Sequence, residues 1–155
     1  MEKAHQTVNQ VLVHLFNDIL RIEEQALTGE KGAPGLSVKE LHVIEAVCTA
    51  GEENTMASLA GRLHVTAGSL TVAVATLVRK GYLLRLRSQQ DKRRVHILPT
   101  EKAMQVNGLH EAFHQEMTQA VIDELPAEQL DVLVDALNRI SDYFNSKENR
   151  KDENQ

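Results

Sequence analysis

Ten residues near the middle of the chain, RSQQDKRRVH (87–96), hold four basic side chains and a single acid. Guanidinium and ammonium groups at that density form charge-assisted hydrogen bonds to phosphate, and a carboxylate two residues before an arginine can hold that guanidinium in one rotamer. Asp91 stands in that position ahead of Arg93, although an aspartate there also suits a tight turn. A second pattern lies at His110 and His114, spaced i, i+4 with Glu111 beside them. On a helix this spacing puts two imidazoles on one face, as a zinc site requires. His42 and Glu23 or Glu24 lie near the ends of helices that would surround the same region. A helical histidine pair more often packs at a surface or interface, and no cysteine is near. No metal is therefore expected, with His42, His110, His114 and Glu24 as the candidates should one bind.

The charge is strongly segregated. Residues 62–94 carry eight Lys and Arg against Asp91 alone, net +7, in a chain whose total is −5. The 37 residues 54–90 contain no acid at all. A merely solvated face would mix both signs, so this field points to a polyanion such as nucleic acid, with Arg62, Arg79, Lys80, Arg85 and Arg87 as candidates for phosphate contacts or long-range steering. A helical structural or interaction protein is the plainer alternative, but it would not require such a segment.

Composition narrows the field further. The apolar share is 42%, yet there are only three Phe, two Tyr and no Trp, so base or ligand stacking is poorly supplied. No apolar run approaches the roughly 20 residues of a membrane span, and the first residues lack the order of a signal peptide, so a cytoplasmic protein is expected. Cys48 has no partner for an internal disulfide and belongs to the apolar series Leu41, Ile44, Val47, Cys48, which suits core packing in a reducing compartment. There is no Gly-rich phosphate loop and no nucleophile elbow. Carboxylates such as Glu52, Glu53, Asp123 and Glu124 fall on solvated helix faces, so the chain is not expected to be an enzyme or to require a cofactor.

These groups need elements to hold them. Val8, Val11, Leu12, Leu15, Phe16, Ile19 and Leu20 step by three and four along one amphipathic helix over 4–27. Three glycines and Pro34 break the chain before Ser37, which caps a second helix with Glu40 in the capping-box position. Thr55 and Thr66 head two short helices joined by a turn at His64 and Val65, the spacing of a helix-turn-helix. Gly81 ends the second of these. YLLRLR and VHIL then read as two strands, with SQQDKRR at the tip of their hairpin. Thr100 caps a long helix, and Pro126 separates it from a last one bearing Leu130, Leu133, Val134, Leu137, Ile140 and Phe144. The fold class is mainly α with a small β-hairpin wing: a winged helix-turn-helix domain at 37–99, a helical dimerisation region from 4–27 and 100–146, and a disordered tail at 147–155.

In such a domain the second helix of the pair enters the major groove of double-stranded DNA. Its leading residues are Thr66, Ala67, Gly68, Ser69, Thr71 and Val72. Hydroxyls can donate to phosphates or bases, and the Ala, Val and Thr methyls can pack on thymine methyls; no Arg or Asn is present for a bidentate base contact. Lys92, Arg93 and Arg94 on the hairpin can straddle the backbone and place one guanidinium in a minor groove.

The order of a long first helix, the segment LAGRLHVTAGSLTVAVATLVRKGYL, a wing reading DKRRVHILPT and two closing helices resembles the MarR family of bacterial transcription regulators over about 5–146. The resemblance implies an obligate homodimer with interlocking first, fifth and sixth helices, two winged domains on a pseudo-palindromic operator, Arg93 as the wing arginine and Asp91 as its partner. Val72 stands where many members carry a polar or basic residue, and Pro99 replaces the usual apolar residue before Thr100. NQVLVHLFNDILRIEE followed by LSVKELHVIEAV is most similar to the branch that represses fatty-acid-synthesis genes in Gram-positive bacteria. That similarity implies a long-chain acyl group on acyl carrier protein as co-repressor. The histidine pattern resembles zinc-sensing members instead.

Overall fold

The computed structural model describes residues 1–27, 33–88 and 94–152, with side chains as far as 147. Its elements are α1 (Glu2–Leu27), α2 (Val38–Thr49), a 3-10 turn (Gly51–Glu53), α3 (Met56–Arg62), α4 (Ala67–Arg79), β1 (Leu83–Arg87), β2 (Val95–Pro99), α5 (Glu101–Ile122) and α6 (Ala127–Asp152). Residues up to Phe113 form one compact unit and those from His114 a second.

Each short helix starts where a hydroxyl takes an otherwise unpaired backbone N–H. Ser37 accepts from Glu40 N at 3.3 Å while its own N–H donates to the Glu40 carboxylate at 2.9 Å, the reciprocal pair that the spacing predicts. Thr55 accepts from Ser58 N, and Thr66 from Ser69 N. The turn between α3 and α4 passes through His64 at φ 51°, the one non-glycine with positive φ among the described residues. At the far end of α4, Gly81 adopts φ 80°, its N–H donates to Val78 O, and Tyr82 N–H donates to Leu77 O. Those two bonds close the helix and redirect the chain into β1.

The strands pair antiparallel, Leu83 opposite Pro99 through Arg87 opposite Val95. Ile97 N–H donates to Asn54 O at 2.8 Å, and an isolated bridge joins Thr55 to His96, so β2 is pinned on both sides. Leu41, Ile44, Leu59, Leu70, Val74, Leu77, Leu83 and Ile97 form the centre of the first unit, and α5 adds Ala103 and Val106. The hairpin does not follow a simple inside–outside alternation. Leu83 is buried, but Leu84, Arg85, Leu86 and Arg87 are all exposed.

In the second unit no described residue is buried; Met117, Leu125, Leu130, Leu133 and Ile140 are half-covered. The expected disordered tail at 147–155 is corrected in part: α6 continues to Asp152, while 153–155 lie outside the described residues. Lys, Glu and Arg are good helix formers and no Gly or Pro intervenes, so a helix nucleated upstream propagates.

Leu77 is fully buried where α4 meets the hairpin. Leu77→Ala should lower unfolding free energy by about 3 kcal/mol, read as a lower urea midpoint at unchanged slope.

Candidate nucleic-acid interface and buried polar cluster

The outward face of α4 is made by Ala67, Gly68, Ser69, Thr71, Val72, Ala75 and Arg79, all exposed, while Leu70, Val74 and Leu77 point into the core. Thr66, the cap, is also exposed. Beside this face Arg85 and Arg87 join Thr71, Met56 and Val95 around a groove of about 320 Å³. The Arg85 guanidinium reaches Thr71 O at 3.5 Å, the limit of a hydrogen bond. Strand arginines thus stand alongside the helix that would enter a major groove. Arg94 is exposed at the loop end of the strands, where its carbonyl accepts from Ser88 N at 3.0 Å. Asp91, Lys92 and Arg93 lie outside the described residues.

The other basic candidates divide by what already holds them. Arg79 is exposed on α4. Arg62 donates to Thr49 Oγ1 at 2.8 Å and remains exposed. Lys80 is half-buried and donates both to the Glu40 carboxylate and to Gly35 O, each at 2.7 Å. Its ammonium therefore joins the end of α4 to the start of α2, and a phosphate would have to compete with that pairing. Burial alone would raise the Glu40 carboxyl, but the Lys80 hydrogen bond, the bonds from Ser37 and the Lys80 charge outweigh it and hold Glu40 below its ordinary 4.5.

A second arrangement lies where α1, α2 and α5 meet. The carboxylate of Glu23 is buried, with His110 Nε2 at 2.6 Å and His42 Nε2 at 3.1 Å from the same oxygen. Glu45 stands 3.7 Å from His110 Nδ1, and the two imidazole rings lie 5.5 Å apart. One donor atom from each of Glu23, His42 and His110 lies within 4.8 Å of the others, a donor set that fits a zinc ion. The expected set is corrected here. Glu23, on the inner face of α1 with Leu27 one turn later, supplies the carboxylate, whereas Glu24 is turned to the exposed side. His110 is buried, and the donor group found among the described residues contains His110 and not His114. His42 also lines a cavity of about 400 Å³ with Lys39, Val43, Leu63 and Ala73 that reaches Ser69 at the start of α4. Cys48 is half-buried as its helical series predicts, and burial followed by the nearby Glu45 pushes its thiol up, away from the reactive thiolate.

A family model described as transcriptional regulator SarA/Rot matches residues 30–108. FabT from Streptococcus pneumoniae, solved in complex with DNA, is 33% identical, superposes with a TM-score of 0.82, and is covered over 98% of its length by 92% of this chain. The chain belongs to the MarR-type winged-helix transcriptional regulators. The MepR–DNA complex of S. aureus shares the fold at 17% identity and a TM-score of 0.72, over 88% of this chain and 97% of MepR. ZitR of Lactococcus lactis, a zinc-responsive MarR family member, does so at 24% identity and 0.62, over 88% and 99%. Among curated protein sequences none matches. No single helix among the described residues is long and apolar enough to cross a membrane.

As a MarR-type regulator, the protein should separate the two roles open to Lys80. A carboxyl held low stabilises the fold above its ordinary value and loses that contribution as pH falls through the folded value. Lys80→Met should therefore be less stable than the parent at pH 7, and in denaturant titrations the difference should shrink as pH falls below 4.5 through the lowered folded value of Glu40. The salt dependence of DNA binding should stay the same.

Proposed function

We propose that the chain is a homodimeric repressor reading a pseudo-palindromic operator, and that it controls fatty-acid-synthesis genes with a long-chain acyl group on acyl carrier protein as co-repressor. The observation that carries this reading is the 33% identity to FabT along 98% of that protein. Exposed apolar side chains support the dimer: Val8, Val11, Leu15, Phe16 and Leu20 lie open along α1, and no described residue of the second unit is buried. Large apolar side chains left open along a helix in this number are what a partner subunit covers. An aliphatic interior suits an alkyl chain. On DNA, α4 lies in the major groove and Arg62, Arg79, Arg85 and Arg87 act on phosphates. The wing, with Lys92, Arg94 and an Arg93 aimed by Asp91, straddles the backbone and reaches a minor groove.

Light scattering should give a particle of twice the 17.3 kDa chain mass. Fluorescence anisotropy on the A·T-rich duplex upstream of the gene should show binding that falls steeply between about 50 and 200 mM salt and tightens when long-chain acyl-acyl carrier protein is added. A monomer at micromolar concentration removes the dimer; salt-sensitive binding indifferent to the acyl carrier removes the co-repressor.

The Glu23–His42–His110 cluster favours a second reading, a zinc-responsive regulator. Zinc would take these three residues, and His42 borders the cavity that runs to the start of α4. Equilibrium dialysis decides it: one tightly held zinc per chain, abolished by His110→Ala, supports the reading, and less than one in the parent protein excludes it.

A further inference from the structure

The sequence allows α4 to read bases by hydroxyl hydrogen bonds or by methyl contacts. The structure assigns the reading to methyl groups: we infer that Val72, flanked by Thr71 and Ala75, recognises the C5-methyl group of thymine, so that operator choice follows thymine methyls rather than a donor–acceptor code on this helix. The inference rests on the DNA-binding reading and adds the chemical feature of the base that is read.

Hydroxyl protons come first. The Thr71 hydroxyl donates to Ala67 O at 2.7 Å, and the Thr66 hydroxyl donates to Ser69 Oγ at 2.9 Å while accepting from Ser69 N. Two of the three hydroxyl hydrogens are thus taken up inside the helix, and the bond to Ala67 O holds Thr71 in one rotamer, its methyl with it. Ser69 keeps a proton but sits in the first turn, bound to the cap.

The middle of the face comes next. Gly68, Thr71, Val72, Ala75 and Arg79 follow one another at helical spacing along the exposed stripe, and between Gly68 and Ala75 it carries no charged or amide group. Val72 is 68% exposed, the one large apolar side chain on α4 that projects from the fold in this way. A β-branched residue is also a poor choice for an exposed helix position on propensity alone. In the major groove the thymine methyl is the one apolar group that a base pair presents, and Arg, Lys, Asn or Gln would be needed to discriminate purines by paired hydrogen bonds. The strand arginines flank this stripe and act from its edge, through phosphates.

The test begins with a duplex selected by the full-length protein from a random library. Each thymidine in the selected site is replaced singly by deoxyuridine, which removes the methyl and leaves every hydrogen-bonding group in place. Symmetric replacement at the thymine under Val72 should weaken binding about fourfold per half-site, about fifteenfold for a dimer, the loss expected for one buried methyl group. V72A should lose affinity for the thymine duplex and become insensitive to the replacement, while Val72→Ile keeps the sensitivity. Where that base pair is changed to C·G, 5-methylcytosine should recover part of the affinity that cytosine loses. Equal binding to thymidine and deoxyuridine at every position, or the same loss for V72A on both duplexes, overturns the inference and leaves DNA binding standing. Failure to select any duplex overturns both.

Discussion

The turn at Gly81 and Tyr82 is the joint on which the DNA-binding half depends. Three elements that must keep a fixed relation meet there: the end of α4, the start of β1 and the start of α5. Glycine alone takes φ 80° without strain, and the resulting backbone bonds to Leu77 O and Val78 O stop the helix at one residue. Thr100 then closes the joint from the other side. Its N–H donates to Tyr82 O, its hydroxyl lies 2.9 Å from Gly81 O and from Tyr82 O, and that hydroxyl oxygen caps α5 by accepting from Ala103 N at 3.3 Å. Lys102 lies over the Tyr82 ring, 4.1 Å from its centre, and donates to Lys80 O. The end of α4, the start of the hairpin and the start of α5 are thereby held together by a few residues around one turn.

The Glu23 cluster plays a comparable part for α1, α2 and α5, by different physics. A carboxylate withdrawn from water among aliphatic side chains is tolerated only with hydrogen-bond partners around it, and two imidazoles from distant parts of the chain supply them. The contact is directional where the surrounding leucines and valines are not. It therefore specifies which faces of the three helices meet, whatever else binds there, and it shares His42 with the cavity that reaches α4.

Charge in the central segment is used twice. Lys80 is drawn into the fold by Glu40 and Gly35 O, and Arg62 braces Thr49, so α2 is tied to the helix-turn-helix at both ends. Arg79, Arg85 and Arg87 stay exposed beside α4. The net positive count of the segment is thus larger than the field available to a polyanion, since a cation paired at short range with a carboxylate contributes little at a distance.

Helix starts and stops were legible because they are local: Ser37, Thr55, Thr66 and Thr100 each cap where their spacing predicts, and Gly81 ends α4. The helix-turn-helix and the hairpin followed from the same short-range rules, and the resemblance to the MarR family from the order of those elements. What the sequence could not show is which side of an element faces inward when both sides carry plausible groups. Glu23 and Glu24 are adjacent in sequence, yet a turn of about 100° per residue buries one and exposes the other. His110 and His114 look equivalent by spacing, but His110 is the one buried against Glu23. Lys80 reads as one more surface cation until a residue 40 positions away closes on it. Local propensity determines the elements; the pairing of charges and the choice between neighbouring side chains were decided by long-range packing, which no single window of sequence contains.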